Sequence, residues 1–157
     1  MFIEHKLLYA KAEEVPDEEY LIPLGKADIK REGADVTIIA WSRQVYFALE
    51  AAEKLAQQGI SAEVIDLRTL VPLDWECVAE SVKKTHNVVI TEEGVKRGGV
   101  GAELAAEIME DLFDELDSPV CRVAGLNVCS PFSPVLEDAV YPQAKDIETA
   151  VLKTLGR

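Results

Sequence analysis

Apolar and polar positions between residues 35 and 73 predict one strand–helix–strand unit. The run at 35–40, DVTIIA, is short, apolar and rich in β-branched residues, which is typical of a covered parallel strand. The run at 62–67, AEVIDL, has the same character and predicts a second buried strand. Because a helical pattern separates the two runs, they predict a βαβ crossover between parallel strands, and this places the chain in the α/β class.

The helix of this unit is predicted from its apolar period. Apolar residues recur at helical spacing between 45 and 56, and polar residues, Gln44 among them, occupy the opposite face. Ser42 is the predicted N-cap, because its hydroxyl can accept a free backbone N–H. Gly59 suits a left-handed helix end.

The flanking segments extend the sheet. Residues 26–32 alternate like a half-exposed edge strand, with Ala27 and Ile29 inward, and the short turn after them predicts antiparallel pairing with the strand at 35–40. Asp74 is the predicted cap of the next helix. Further strands are predicted at 88–91 and 120–124, and further helices at 100–113, 136–140 and 144–155. The predicted fold is a three-layer α/β/α sandwich around about five strands, with one antiparallel edge strand.

The first twenty residues differ from the rest. Residues 2–9 have strand-like composition, and residues 10–20 are acidic, contain a proline and lack an apolar period. A strand followed at once by a linker is an unusual start for a domain. We therefore expect residues 1–20 to be a remnant of a preceding domain plus a linker, and residues 21–157 to form the domain.

Composition and charge restrict the function classes. The chain has 157 residues, of which 48% are hydrophobic, and a formal net charge of −13. This charge argues against a nucleic-acid or anionic-membrane partner and permits a basic protein partner, although it could also serve solubility alone. No apolar run approaches the roughly 20 residues of a membrane span, and no secretory pattern is present. The cysteines at 77, 121 and 129 are too few and too widely spaced for a disulfide framework, so buried free thiols and a cytoplasmic location are expected.

Candidate chemistry lies where the predicted strands end, since ligands of open α/β sheets bind there. The three places are Trp41 with Ser42, the segment 66–69, and the glycine-rich segment 92–99. Glycines before a helix could hold a phosphate on backbone N–H groups, but neither GxGxxG nor GK[ST] is present and Glu92 and Glu93 would repel it. A tight turn that lets the helix approach the sheet is the favoured reading.

Other catalytic arrangements are not visible. Asp66 and Arg68 could form a functional ion pair, but a salt bridge that orders the strand end is favoured. Ser42 lacks a GxSxG context, and the only histidines, His5 and His86, have no metal-ligand spacing. The residues alone therefore indicate no catalytic constellation.

Several phrases, in order, resemble a known family. They are LGKA…REG, DVTIIAWS, EVIDLRTLVPLD, SVKKT, EEG…GGVGAE, VLEDAVYPQ and KDIETAVLKTL. Together they resemble the carboxy-terminal domain of the beta subunit of pyruvate dehydrogenase and related 2-oxo acid dehydrogenases, a transketolase carboxy-terminal-type fold. FIEHKLLY resembles the end of the preceding domain of that subunit. The resemblance covers nearly the whole chain.

The resemblance implies part of a thiamine-diphosphate-dependent enzyme that decarboxylates a 2-oxo acid and acylates a lipoyl carrier. The family's catalytic and cofactor-binding residues lie outside the matched region, so it assigns this chain no catalytic, cofactor or metal residue. Thiamine diphosphate and magnesium are implied only for the whole enzyme, and the chain alone is expected to be inactive.

The role that the resemblance implies for this region is assembly, as a homodimer or hetero-oligomer. The implied partners are the alpha subunit, a second beta subunit and the basic subunit-binding domain of the acyltransferase. The candidate interface residues are Trp41, Ser42, Arg68, Glu92, Glu93, Gly94, Arg97, Gly98, Gly99 and Arg157. Two alternatives remain: a free-standing binding module of this fold, and a flavodoxin-like binder of a small molecule that uses segment 92–101.

Overall fold

The computed structural model describes all 157 residues, and its centre is a five-stranded mixed sheet. The strands are β1 (Asp28–Arg31), β2 (Val36–Ala40), β3 (Ala62–Asp66), β4 (Val88–Val95) and β5 (Cys121–Gly125), in the spatial order β1-β3-β2-β4-β5. The pairs β2–β3, β2–β4 and β4–β5 are parallel, whereas β1 runs antiparallel to β3. The predicted sandwich with one antiparallel edge is confirmed.

Five α-helices cover the sheet. They are α1 (Gln44–Ala56), α2 (Trp75–Thr85), α3 (Val100–Asp111), α4 (Pro134–Val140) and α5 (Ala144–Thr154), with 3₁₀ turns at Lys6–Ala10 and Phe113–Glu115. One buried cluster lies between the sheet and α1 with α5, and a second lies between the sheet and α2 with α3. The helices therefore form the two outer layers. None of them is long and apolar enough to span a membrane.

The neighbour of β1 differs from the prediction. β1 lies beside β3, not β2, because β3 and β4 already occupy the two edges of β2. The chain between β1 and β2 crosses the start of β3, where the N–H groups of Ala34 and Asp35 both donate to the Ser61 carbonyl. A side chain on Gly33 would collide with the backbone of Ala62 at this crossing. The crossing therefore requires a glycine.

Helix α1 corrects two details. Ser42 is not the N-cap: it has a positive φ of 55°, and its carbonyl accepts the Val45 N–H, so it forms the turn before the helix. Gln44 was predicted on the polar face but is buried. Its amide accepts from the Thr91 hydroxyl at 2.8 Å and donates to the Pro142 carbonyl at 3.2 Å, which satisfies it inside the protein.

Other helix ends follow the sequence prediction. Gly59 has a φ of +76° and closes α1 by donating to the Ala56 carbonyl. Asp74 caps α2 by accepting the Cys77 N–H at 3.4 Å, and His86, with a φ of 58°, ends that helix. Short polar or glycine signals thus located the helix ends correctly.

The burial or the secondary structure of several residues differs from the prediction. Ile29 is 39% exposed although it was predicted inward, and Val100, the first residue of the helix predicted at 100–113, is 44% exposed. Residues 6–10 form a 3₁₀ turn where a strand was expected. The thiols are free, as predicted, but Cys77 and Cys121 are half-buried and Cys129 is exposed. Edge positions and loop thiols keep solvent contact because no further layer of this chain covers them.

Candidate functional site

The carboxyl ends of the parallel strands hold a buried carboxylate. Glu92, in β4, is only 4% exposed. Its Oε1 accepts the Gly101 N–H of helix α3 at 3.2 Å. The N-cap of that helix, Gly99, supplies no side-chain hydrogen bond. Glu92 therefore satisfies the free N–H groups at the start of α3 from a neighbouring strand.

Three glycines make room for this carboxylate. A Cβ on Gly99 would lie 2.6 Å from Glu92 Oε1, one on Gly101 would lie 2.7 Å from the same atom, and one on Gly94 would lie 3.2 Å from Oε2. We call Gly94, Gly99 and Gly101 the glycine cradle. The glycine-rich segment therefore folds around the protein's own anion.

Electrostatics at Glu92 combine opposing effects. Burial raises the pKa of the Glu92 carboxyl, and the Gly101 N–H, the Arg122 charge and the Val100 N–H hold it lower than burial alone would. The position that a phosphate would take at the start of α3 is filled by this carboxylate. The residues here do not fit a diphosphate.

The next residue links three parts of the chain. Glu93 Oε2 lies 2.8 Å from His5 Nε2, and Glu93 Oε1 accepts from Arg43 Nη1 at 3.2 Å. Because His5 Nδ1 accepts the Leu7 N–H, Nε2 is the nitrogen that donates to Glu93. The Arg43 guanidinium also lies 4.9 Å from the Phe47 ring centre. Glu93 thus holds the N-terminal segment against the start of α1.

The end of β3 is built differently from the prediction. Arg68 does not form an ion pair with Asp66; its guanidinium donates to Asp28 Oδ2 on β1 at 2.7 Å. Asp66 instead accepts the Arg68 backbone N–H at 3.0 Å, and burial raises the pKa of its carboxyl. A φ of 54° at Arg68 turns its side chain away from Asp66 toward the edge strand. This cluster orders the β1–β3 edge.

The remaining predicted interface residues are dispersed. Trp41 is half-buried against the α2–α3 side of the core, whereas Ser42 is exposed. Arg97 and Gly98 are exposed in the turn before α3, and Arg157 is exposed after α5. No hydrogen bond joins the Arg157 side chain to the glycine-rich turn. The structure brings together Glu92 and the glycine cradle but not the whole predicted set.

An apolar surface escaped the sequence prediction. We call the exposed apolar side chains of residues 126–136 the apolar loop; Phe132 is fully exposed, and α4 buries none of its residues. Its members and exposed fractions are Leu126 55%, Val128 54%, Phe132 104%, Val135 78% and Leu136 56%. The signal was present in the sequence as five large apolar residues within a segment of eleven that contains two prolines. Such a patch is typical of a surface that contacts another protein.

The structure offers little support for reaction chemistry. No group of three His, Cys, Asp or Glu side chains could hold a metal ion. Burial, followed by the Asp74 charge, raises the pKa of the Cys77 thiol, which disfavours the nucleophilic thiolate. The features that the structure does show are the Glu92 carboxylate at the start of α3, the N-terminal segment held by Glu93, and the exposed apolar loop.

Comparison with known proteins places the chain in a family. The family model for the transketolase C-terminal domain matches residues 25–147. The chain belongs to this family. The fold agrees: a solved structure described as a split-gene transketolase, an inactive beta4 tetramer, matches with a TM-score of 0.79 and 33% identity. That match covers 92% of this chain and 46% of the other.

Sequence relatives are more specific. The chain is 45% identical over 161 residues to the pyruvate dehydrogenase E1 component subunit beta of Caenorhabditis elegans, covering 99% of this chain and 46% of the relative. It is 48% identical to the Porphyra purpurea subunit, covering 96% and 46%, and 48% identical to the Mus musculus subunit, covering 99% and 45%. The chain thus spans about half the length of the relatives it matches.

The relatives also correct the predicted location. The proteins from Caenorhabditis elegans, Arabidopsis thaliana and Mus musculus are named as mitochondrial. The cytoplasmic location predicted from the sequence is therefore wrong, and the relatives point to mitochondria. The prediction failed because free thiols are compatible with any reducing compartment and do not distinguish between two of them.

Proposed function

We propose that this chain is the carboxy-terminal assembly domain of the beta subunit of a thiamine-diphosphate-dependent 2-oxo acid dehydrogenase, with pyruvate as the substrate of the whole enzyme. The observation that carries the proposal is the 45–48% identity, over nearly the whole chain, to subunits named pyruvate dehydrogenase E1 beta. The whole enzyme would decarboxylate the 2-oxo acid and acylate a lipoyl carrier. The catalytic residues would lie outside these 157 residues.

The site geometry supports a non-catalytic role. The glycine cradle holds Glu92, so the start of α3 does not fit the cofactor's diphosphate. Thiamine diphosphate and magnesium are therefore assigned to the rest of the enzyme. The chain's own contribution would be to position subunits around that centre.

The apolar loop is the main support for assembly. Five large apolar side chains are exposed within eleven residues of the chain, and burying one such side chain is worth about 1.5–3 kcal/mol. The partners we propose for the domain are the alpha subunit and a second beta subunit. In addition to the apolar loop, we keep the candidate residues from the sequence as proposed interface positions. They are Trp41, Ser42, Arg68, Glu92, Glu93, Gly94, Arg97, Gly98, Gly99 and Arg157.

We assign residues 1–20 to the end of a preceding domain plus its linker, and residues 21–157 to this domain. Support comes from the exposure of Phe2 and Ile3, which have no core of their own here. The His5–Glu93 contact would then fix the orientation of the preceding domain on this one.

The test of assembly is the mass of the purified chain by light scattering, alone and after mixing with an alpha subunit and the amino-terminal half of a beta subunit. We expect association that Phe132→Ser weakens, with unchanged stability, because Phe132 makes no buried contact. Glu53→Ser is a control on an exposed face of α1. A chain that stays monomeric and binds neither partner would support a free-standing module instead.

The test of chemistry is pyruvate decarboxylation with thiamine diphosphate and Mg²⁺ supplied. We expect no turnover by the chain alone and turnover in the reconstituted mixture. Turnover by the chain alone would overturn the proposal.

A docking role is a further part of the proposal. The charge of −13 suits a basic subunit-binding domain of the acyltransferase. Titration with such a domain should give affinity at low salt that falls as salt rises. Binding that is absent at low salt, or indifferent to salt, would contradict docking.

A further inference from the structure

A cationic cleft lies at the β5 edge of the sheet. Its volume is about 440 Å³, within the range of about 300–1,000 Å³ usual for small-molecule sites. β5 is the last strand of the sheet, so no further strand covers this side. We call it the β5 cleft, and its lining residues are Lys96, Ser118, Pro119, Val120, Cys121, Arg122, Lys153 and Thr154.

The β5 cleft is lined by positive charges, whereas the whole chain is negatively charged. The protein carries 29 acidic and 16 basic residues, yet three cations and no carboxylate line the cleft. None of Lys96, Arg122 and Lys153 forms an ion pair with a carboxylate. Arg122 Nη1 donates to the Lys96 carbonyl at 2.9 Å, which ties the guanidinium to the cleft wall. Three cations without an ion-pair contact, from three segments, therefore converge on one space.

One hydroxyl group in the same cleft is free to donate a hydrogen bond. The Thr154 hydroxyl oxygen is buried and has no hydrogen-bond partner, the one such side-chain atom in the structure. A buried hydroxyl without a partner is unfavourable, so such groups are uncommon unless something binds them. Ser118 already donates its hydroxyl proton to Asn87 at 2.9 Å, so Thr154 is the hydroxyl in the cleft that is free to donate.

We propose that the β5 cleft binds the phosphate group of a small phosphorylated molecule. A phosphate offers three oxygens and two negative charges, which match three cations and one free hydroxyl donor better than a single carboxylate does. Arg122 supplies paired N–H donors, and the two lysines supply point charges. At physiological salt, charges beyond about 8 Å are screened, so distant carboxylates contribute little to this local potential. Glu92, whose pKa is raised by burial and lowered by the Arg122 charge, offsets part of it. The inference does not rest on the proposed assembly function.

The experiment is an NMR titration of the whole 157-residue chain with inorganic phosphate at constant ionic strength. We expect saturable shifts of amide signals at Lys96, Arg122 and Thr154. Lys153→Ala should weaken affinity about tenfold or more, since a charge-assisted hydrogen bond is worth about 1.5–3 kcal/mol. Lys145→Ala removes the same charge from the other end of α5 and should change affinity less than about twofold.

A second variant separates binding from folding. Thr154→Val keeps the shape but removes the unpaired hydroxyl, so we expect equal or higher stability and about fivefold weaker phosphate binding. Unchanged affinity in this variant or in Lys153→Ala would overturn the proposal. Linear shifts spread over the surface, equal shifts with acetate, or binding only of an acidic peptide would do the same. Failure of subunit assembly would leave this result unaffected, which keeps the two proposals distinguishable.

Discussion

Gly101→Ala tests whether the glycine cradle exists to hold Glu92. At an ordinary helix position this substitution stabilises, by about 1 kcal/mol, because alanine is the better helix former. Here the added Cβ would lie 2.7 Å from Glu92 Oε1 and 3.2 Å from Ile90 Cγ2. The carboxylate must move away from the Gly101 N–H, which it accepts at 3.2 Å.

The magnitude follows from these opposing effects. Losing a hydrogen bond to a charged group costs about 1.5–3 kcal/mol, and overpacking a buried site costs about 1–3 kcal/mol. Subtracting the helix gain leaves a net loss of about 1.5–5 kcal/mol in the free energy of unfolding. We expect the lower part of this range, about 2 kcal/mol, because the atom nearest the added Cβ is the end of the flexible Glu92 side chain. For a chain of this size, that corresponds to a fall of about 4–8 °C in Tm.

The assay is urea unfolding of a double-mutant cycle. Glu92→Ala removes the carboxylate, so Gly101→Ala in that background should be neutral or stabilising, with a coupling energy of about 2 kcal/mol. Equal m-values across the four proteins would show that the transition itself is unchanged. Additive effects, with coupling under about 0.5 kcal/mol, would refute the idea that the glycines make room for Glu92.

Two further predictions concern charged groups. Asp74→Ala should cost about 1–2 kcal/mol at neutral pH. Burial would raise the pKa of Asp74, but the N–H groups of Ala27 and Cys77 lower it, so its contribution is present above the unfolded pKa and is lost as pH falls. Parent and variant should therefore converge in acid unfolding; a constant gap would contradict this. Lys84→Met should cost about 2 kcal/mol by chemical unfolding, since it leaves buried Glu63 without its cation, and adding Glu63→Gln should restore part of the loss. No recovery in the double variant would count against the pairing.

The sequence predicted those elements whose signals are local. The β-branched runs at 35–40 and 62–67 became adjacent parallel strands, and Asp74 and Gly59 marked helix ends, because periodicity and capping act within a few residues. Sheet order was not accessible in this way. A short turn predicted adjacency of β1 and β2, but competition from β4 and β3 for the edges of β2 decided the order.

Predictions about the contacts of charged side chains were limited for a similar reason. Strand β4 runs to Val95, so the turn predicted at 92–99 is confirmed only in its second half, and nothing local indicates that Glu92 points into the glycines. Likewise, Arg68 forms its ion pair with Asp28 and not with Asp66, because β1 lies beside β3 in the sheet. The chemical partner of a charged side chain depends on tertiary neighbours, and those depend on the sheet order.

The crossing over β3 also implies an order of folding. β1 pairs with a strand that appears later in the chain, so we expect Asp28 to meet Asp66 after β2, α1 and β3 have closed into a unit. Contacts that close long loops form late, and the Gly33 crossing needs the start of β3 already in place. β1 is thus a late addition to a parallel nucleus. Its mutations should accelerate unfolding and leave the refolding rate nearly unchanged.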